Sequence, residues 1–259
     1  MRAFTLLLLP VLVLPLIGAK SDPFVATWVY DSQKSPKPTI TYGIKNLGGN
    51  RFALTGSTGE TTEINADGIS TKSPSGATVS FKKLDDHTWQ MNRVDARAMV
   101  RTYTVSSDNE RLTLRDVFTA TGGSKEKTIT TYARRGPGNG IVGEWQSISM
   151  EETLTGKPEE LVIEPFGKDG LSFTSTFDKH RTDMHFDGKQ YFDQAPDGTK
   201  GDSSSGKRIN SHFIQIDSRV KGKLDSTEEF KVSPDGMTLT IVSRPIRSSA
   251  VFTTVWDKR

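Results

Sequence analysis

The feature that most constrains the fold of this chain is an internal repeat. Residues 103–114 (YTVSSDNERLTL) return 127 residues later as residues 230–241 (FKVSPDGMTLTI), with five of the twelve positions identical. Each stretch is typical of two strands joined by a tight turn. Trp28 and Trp145 open the two copies, which close on the related segments TTYARR and TTVWDKR. A repeat of this kind indicates that the same folding unit occurs twice.

The repeat sets the expected boundaries along the chain. Residues 1–19 are predicted to be a signal peptide, because a basic residue precedes a short apolar run and a small-residue cleavage point after Ala19. Residues 20–135 are predicted to form the first barrel domain and residues 141–259 the second. The glycine-rich residues 136–140 between them are predicted to be a linker. The N-terminal apolar run is too short to span a bilayer, so we expect no transmembrane segment in the mature chain.

Composition excludes several classes of function. The 259 residues include no cysteine, which excludes disulfides, thiol catalysis and thiolate metal sites. An exported chain without cysteine is typical of a bacterial periplasmic or secreted protein. The 34 basic and 31 acidic residues are interleaved without a basic stripe, so we expect no nucleic-acid partner. No glycine-rich phosphate-binding motif stands between a strand and a helix, and no cofactor is expected.

The local pattern of each repeat is that of β-strands. Polar and apolar residues alternate in several segments, for example residues 77–83, 88–94 and 111–118, and turn residues separate these segments. Roughly eight strands per copy, all joined as hairpins, must hide two sheet edges. We therefore predict an all-β protein made of two tandem antiparallel up-and-down β-barrels. Two β-sandwiches are the alternative.

The openings of the two copies resemble a known motif. The sequences VATW, ending at Trp28, and VGEW, ending at Trp145, are similar to the G-x-W motif of lipocalins. In lipocalins this tryptophan closes one end of the barrel and is covered by a basic residue from the last strand. A tandem duplication predicts that each tryptophan packs with the basic residue of its own copy. The candidates at the matching places are Arg134 or Arg135 in the first copy and Lys258 or Arg259 in the second.

The mature chain as a whole also resembles exported bacterial proteins with tandem lipocalin-like (calycin-type) domains. The motifs DPF at residues 22–24, FDGK at residues 186–189 and VSPDG at residues 232–236 carry this likeness. The first copy departs from the G-x-W motif, since Ala26 stands where the motif has glycine. The resemblance implies the fold and carries over no catalytic residue.

Aromatic residues on the predicted strands are candidates for a ligand cavity. A filled barrel core needs the same residues, so an open and a filled interior both remain possible. An open interior predicts a non-enzymatic binding module for a small hydrophobic or amphipathic ligand. A filled interior predicts a structural or interaction protein of the cell envelope. The candidate ligand-binding residues are Trp89, Tyr103, Phe173, Phe213 and Phe230, with Phe118 and Tyr191 in similar positions.

Three arginines form a candidate site for an anionic group. Arg93, Arg97 and Arg101 follow one another at intervals of four residues around a predicted hairpin, where they could line a barrel mouth. The alternative is that they are surface arginines flanking the hairpin.

The second copy alone carries a set of histidine and aspartate side chains. In a strand over residues 182–187, Asp183 and His185 share one face, and His180 lies just upstream. Imidazole and carboxylate groups bind zinc and other divalent ions, and such a pair could serve a metal-dependent enzyme or a hydrolase. The alternative is a solvated polar face that leads into a turn.

Overall fold

The structure is a computed structural model that describes residues 22–73, 76–94, 98–119, 125–155, 157–177, 179–194 and 200–259. Strands are the only regular elements among these residues, and they form two ten-stranded antiparallel sheets. One sheet is a closed barrel and the other is a nearly closed barrel. Most neighbouring strands also follow one another along the chain, so the predicted all-β class of antiparallel up-and-down barrels is confirmed. The predicted signal peptide lies outside the described residues.

In the described ranges, twenty strands make up the two sheets. In chain order they are β1 (Ala26–Tyr30), β2 (Thr41–Gly48), β3 (Arg51–Thr55), β4 (Thr61–Asn65), β5 (Thr71–Lys72), β6 (Thr78–Lys83), β7 (Thr88–Val94), β8 (Ala98–Val105), β9 (Arg111–Thr119), β10 (Lys125–Asn139), β11 (Val142–Thr155), β12 (Glu160–Phe166), β13 (Gly170–Ser175), β14 (Arg181–His185), β15 (Tyr191–Gln194), β16 (Lys200–Asn210), β17 (Phe213–Val220), β18 (Lys223–Val232), β19 (Thr238–Pro245) and β20 (Phe252–Lys258). Each barrel has more strands than the eight expected, because short strands such as β5 are too brief to show alternation.

The two repeats exchange their first strands. β1 of the first repeat pairs with β12 and β20 of the second, while β11 of the second repeat pairs with β2 and β10 of the first. The strands β2–β11 therefore form one barrel, which we call the inserted barrel. The strands β1 and β12–β20 form the other, which we call the split barrel. The barrels thus have boundaries different from those of the repeats.

Residues 136–140, predicted to be a linker, belong to a hairpin of the inserted barrel. β10 extends to Asn139, which pairs with Val142, so a two-residue turn leads directly into β11. Gly140 in this turn has a φ of +57°. The linker prediction is wrong because Asn-Gly is itself a hairpin signal. A turn this short also makes the entropic cost of closing the loop small.

The repeated strand-turn-strand segment forms the predicted hairpin in both copies. Val105 pairs with Leu112 across the first hairpin, and Val232 pairs with Leu239 across the second. Asn109 in the first hairpin turn has a φ of +62°, and the equivalent residue of the second has a φ of +73°. Asparagine and glycine tolerate this left-handed backbone better than other residues.

Each barrel has its own apolar core, because alternation points every second side chain inward. In β7, for example, Trp89 and Met91 are buried and Gln90 between them is not. The core of the inserted barrel surrounds Tyr103 and Trp145. The core of the split barrel surrounds Phe24 and Trp28, and the second repeat contributes its other buried residues.

Candidate functional site

The inserted barrel is closed at one end by Trp145 under an arginine. Trp145 is fully buried, and the guanidinium carbon of Arg134 lies 4.1 Å from the centroid of its ring. Arg134 also donates hydrogen bonds of 2.6–2.7 Å to the backbone carbonyls of Asn109, Gly140 and Val142. The repeated hairpin and the β10–β11 turn therefore hold the cation in place over the ring.

The split barrel is closed in the same way by Trp28 and a lysine. Trp28 is fully buried, and Nζ of Lys258 lies 5.9 Å from the centroid of its ring. Strand alternation places Arg134 and Lys258 on the inward faces. Arg135 is exposed, and Arg259 forms an ion pair with Glu160.

The expectation that each tryptophan packs with the basic residue of its own copy is wrong. Trp28 of the first repeat contacts Lys258 of the second, and Trp145 of the second contacts Arg134 of the first. The physical reason is the strand exchange, since each tryptophan lies on the strand that its repeat gives to the other barrel.

The difference between Gly143 and Ala26 in the two motifs has a steric cause. A Cβ atom added to Gly143 would lie 2.5 Å from Nη1 of Arg134, which is far inside van der Waals contact. Gly143 also has a φ of +154°, which a residue with a side chain rarely adopts. Ala26 lies in the barrel closed by Lys258, whose ammonium is smaller than a guanidinium and lies farther from its ring.

The end of the inserted barrel that carries the β3–β4 turn contains a cavity of about 370 Å³. Small-ligand pockets span about 300–1,000 Å³, so this space suits a small molecule. One part of the wall is apolar, formed by Leu54, Val79, Met91, Met99 and Phe118. Another part is polar, with Arg93, Arg101, Glu60 and Thr62, beside the turn residues 56–58. The cavity is therefore amphipathic.

Arg101 is the most enclosed charge of the cavity wall. Its Nε and Nη2 atoms each donate a 2.6 Å hydrogen bond to Asp116 on the neighbouring strand. Burial by itself would lower the pKa of the guanidinium, but the Asp116 carboxylate outweighs that effect, so the pKa is raised and Arg101 stays charged. Among the described residues Nη1 has no hydrogen-bond partner. It can donate to an acceptor group placed in the cavity.

Two tyrosines support this arginine. The rings of Tyr42 and Tyr103 lie 5.6 Å and 6.0 Å from its guanidinium carbon, and their hydroxyl oxygens are 2.8 Å apart. Burial raises the pKa of the Tyr103 hydroxyl well above its usual value. Tyr103 therefore stays neutral and can take part in the hydroxyl pair at physiological pH.

The equivalent position of the split barrel carries an acidic residue instead of a basic one. When the two repeats are aligned with Tyr103 opposite Phe230, Arg101 corresponds to Glu228 and Asp116 corresponds to Ser243. Glu228 and Ser243 face each other across β18 and β19, as Arg101 and Asp116 do across β8 and β9. Burial, aided by the charge of Asp193, raises the pKa of Glu228 to about 7. The two barrels therefore differ in the polarity of their interiors.

The predicted ligand-binding aromatics lie mainly in the cores. Trp89 and Tyr103 are buried in the inserted barrel, and neither lines the cavity. Phe173 and Phe230 pack edge to face at 5.8 Å in the core of the split barrel. Phe213 is half-buried, with Nζ of Lys231 4.7 Å from its ring centroid.

Among the remaining sequence candidates, three side chains contribute to the cavity: Phe118, Arg93 and Arg101. Arg97 lies outside the described residues. The residues predicted from the sequence do not include the aliphatic wall, although the alternation in β6–β8 identifies Val79, Met91 and Met99 as inward-facing.

The histidine and aspartate candidates have other neighbours. Asp183 forms an ion pair of 2.8 Å with Arg181, and the ring of His185 lies between the rings of Phe166 and Tyr191, at 5.2 Å and 6.0 Å. In the described part of the chain no three histidine, aspartate or glutamate side chains, His180 included, are grouped so that they could hold a metal ion.

No family model matches this chain, and no curated protein matches it. Within the described ranges no helix is long and apolar enough to cross a membrane.

Proposed function

We propose that this protein is an exported, non-enzymatic binding protein whose inserted barrel holds one small amphipathic molecule. The observation that carries the proposal is the cavity of about 370 Å³ with an apolar wall and the Nη1 donor of Arg101. Export rests on the N-terminal sequence, residues 1–19. The lipocalin-like openings of the repeats fit a carrier of this kind.

The chemistry of the wall indicates the class of ligand. The apolar part of the molecule would pack against Met91, Met99 and Phe118, where it loses contact with water. An acceptor group, such as a carboxylate or sulfonate, would accept a hydrogen bond from Arg101. Arg93 and Glu60 bring one positive and one negative charge to the same wall, so the preference for charge rests on the unused donor of Arg101. We therefore expect an acidic amphiphile to bind better than a basic one of equal length.

Dye binding and competition test the proposal. The amphipathic dye anilinonaphthalene sulfonate should bind one site per chain, and decanoate should displace it better than decylamine. Met99→Trp places a large ring in the cavity and should abolish binding. Val100→Trp is the control, because the neighbouring side chain on β8 points outward and is 39% exposed. A protein that binds no dye, or binds it equally after Met99→Trp, would favour the filled-barrel role in the cell envelope.

A further inference from the structure

A loop of the split barrel contacts the wall of the cavity in the inserted barrel. We call residues 246–251, between β19 and β20, the docking loop, and residues 56–60, between β3 and β4, the cavity loop. Oγ of Ser248 in the docking loop donates a 2.6 Å hydrogen bond to the carbonyl of Ser57 in the cavity loop. Ser57 itself lines the cavity.

Gly59 brings the two loops into direct backbone contact. Its φ is +79°, and a Cβ atom at this position would lie 1.8 Å from the carbonyl oxygen of Arg247. No residue other than glycine fits while the docking loop keeps its place. The close approach means that a displacement of one backbone must displace the other.

The docking loop also inserts into the core of the inserted barrel. Ala250 is 6% exposed and belongs to the core cluster that contains Tyr42 and Trp145, and Phe252 packs against the same cluster. The backbone N–H of Ala250 donates to Oγ of Ser248 at 3.0 Å, which fixes the hydroxyl that reaches Ser57. The contact is therefore a packed interface with a specific geometry.

The other end of the docking loop is anchored to the split barrel. Arg247 forms an ion pair of 2.5 Å with Asp225 on β18, and the N–H of Ile246 donates to the Asp225 carbonyl at 2.8 Å. A continuous set of contacts thus runs from β18 of the split barrel to Ser57 in the cavity wall.

We propose that the split barrel serves as the rim of the binding site in the inserted barrel. The docking loop positions the cavity loop, and the second repeat thereby sets how tightly the first holds its ligand. This inference rests on the proposed function for its ligand, but the positioning of the cavity loop can be measured without one. Ser248 and Gly59 are positioning residues, since neither needs to touch the ligand.

Hydrogen exchange and dye dissociation test the rim in the full-length protein. Gly59→Ala should raise amide exchange across residues 56–60 and accelerate dissociation of anilinonaphthalene sulfonate by about tenfold, because ordering of a site acts chiefly on the dissociation rate. Gly49→Ala is the matched control, since Gly49 also has a positive φ, +58°, but its Cβ would meet no atom within 4 Å. Ser248→Ala, which creates no clash, should give a smaller change in the same direction.

Ligand binding in the inserted barrel should in turn affect the docking loop of the split barrel. Coupling between two sites is reciprocal, so bound dye should slow amide exchange in residues 246–251, although these residues lie in the other barrel. Unchanged amide exchange in residues 56–60 after both Gly59→Ala and Ser248→Ala would overturn the proposal that the docking loop positions the cavity loop. If amide exchange rises in these variants but the protein binds no dye, the positioning of the cavity loop is supported and only the proposed ligand binding is rejected.

Discussion

At the residue scale, the two copies of one motif show how a neighbour decides which side chain is tolerated. Gly143 lies against the guanidinium of Arg134, whereas Ala26 lies in the barrel closed by Lys258. A guanidinium is planar and extended, and three carbonyls fix its position here. The glycine of the motif is thus required where the covering cation is arginine.

Replacing this glycine should destabilise the inserted barrel. Gly143→Ala combines overpacking with a strained φ, and overpacking by itself costs about 1–3 kcal/mol. Arg134→Lys in the same chain should restore part of the loss by removing the clash. Urea unfolding monitored by hydrogen exchange in β8–β10 would measure the free energy of unfolding. Gly140→Ala, at a positive φ with nothing within 4 Å, is the control, and an equal loss in both variants would contradict the steric explanation.

Glu228 gives the split barrel a predictable dependence on pH. Its pKa is raised from 4.5 to about 7 in the folded protein, so the folded state holds the proton more tightly than the unfolded chain does. The stabilising contribution is complete below pH 4.5 and is lost as the pH rises through about 7. The urea midpoint of the wild-type protein should therefore fall as the pH rises from 4.5 to about 7, and Glu228→Gln should remove this fall. If wild type and variant show parallel pH profiles, Glu228 is not the group responsible.

At the scale of the element, the exchanged strands place each tryptophan in the barrel of the other repeat. β11 follows β10 through a two-residue turn, so these strands pair locally and β1 is left to complete the split barrel. β1 ends beside β12, where the N–H of Tyr30 donates to the Glu159 carbonyl at 3.0 Å. Contacts between neighbouring strands, rather than repeat membership, therefore decide which core each tryptophan stabilises.

Truncation of the two tryptophans should reveal this exchange. Trp145→Ala, in the second repeat, should destabilise the inserted barrel, and Trp28→Ala, in the first repeat, should destabilise the split barrel. Removing a buried aromatic side chain of this size costs about 3–5 kcal/mol. Hydrogen exchange should rise first in β8–β10 for Trp145→Ala and in β17–β19 for Trp28→Ala. The opposite assignment would mean that each repeat keeps its own first strand.

At the scale of the whole molecule, one barrel is inserted into the chain of the other. The inserted barrel is continuous from β2 to β11, whereas the split barrel needs β1 from before it. The chain crosses between the barrels twice, and Lys37 and Tyr30 both bind the Glu152 carboxylate near the first crossing, at 3.0 Å and 3.2 Å. Repeat boundaries are therefore poor places to divide this protein.

Two shortened chains of nearly equal length should behave differently. Residues 39–155 hold every strand of the inserted barrel and should fold, with some loss of stability where Ala250 and Phe252 no longer pack. Residues 20–135 follow the repeat boundary but lack β11, so Arg134 loses Trp145, and β2 and β10 lose their shared partner. β1 is a poor replacement, because Ala26 would place a Cβ atom where Gly143 lies against Arg134. Circular dichroism and amide chemical-shift dispersion would compare the two. Folding of residues 20–135 together with failure of residues 39–155 to fold would contradict the insertion.

The sequence by itself determined the class of structure and the closing tryptophans of this protein. Alternation fixes which face of a strand is buried, turn residues fix hairpins such as those at Asn109 and Gly236, and both signals are local. Sequence also brought Arg93 and Arg101 forward as candidates, because they flank a predicted hairpin, and both line the cavity.

Only the tertiary structure decided which barrel each first strand completes. β1 and β11 carry related sequences, and their steric difference, Ala26 against Gly143, has a meaning only once the cation that covers each tryptophan is known. The choice depends on the length of the connections, since the tight turn after Asn139 favours the local hairpin over a distant partner. The contact of the docking loop with Ser57, and the cavity wall that it supports, exist only because the two barrels pack together.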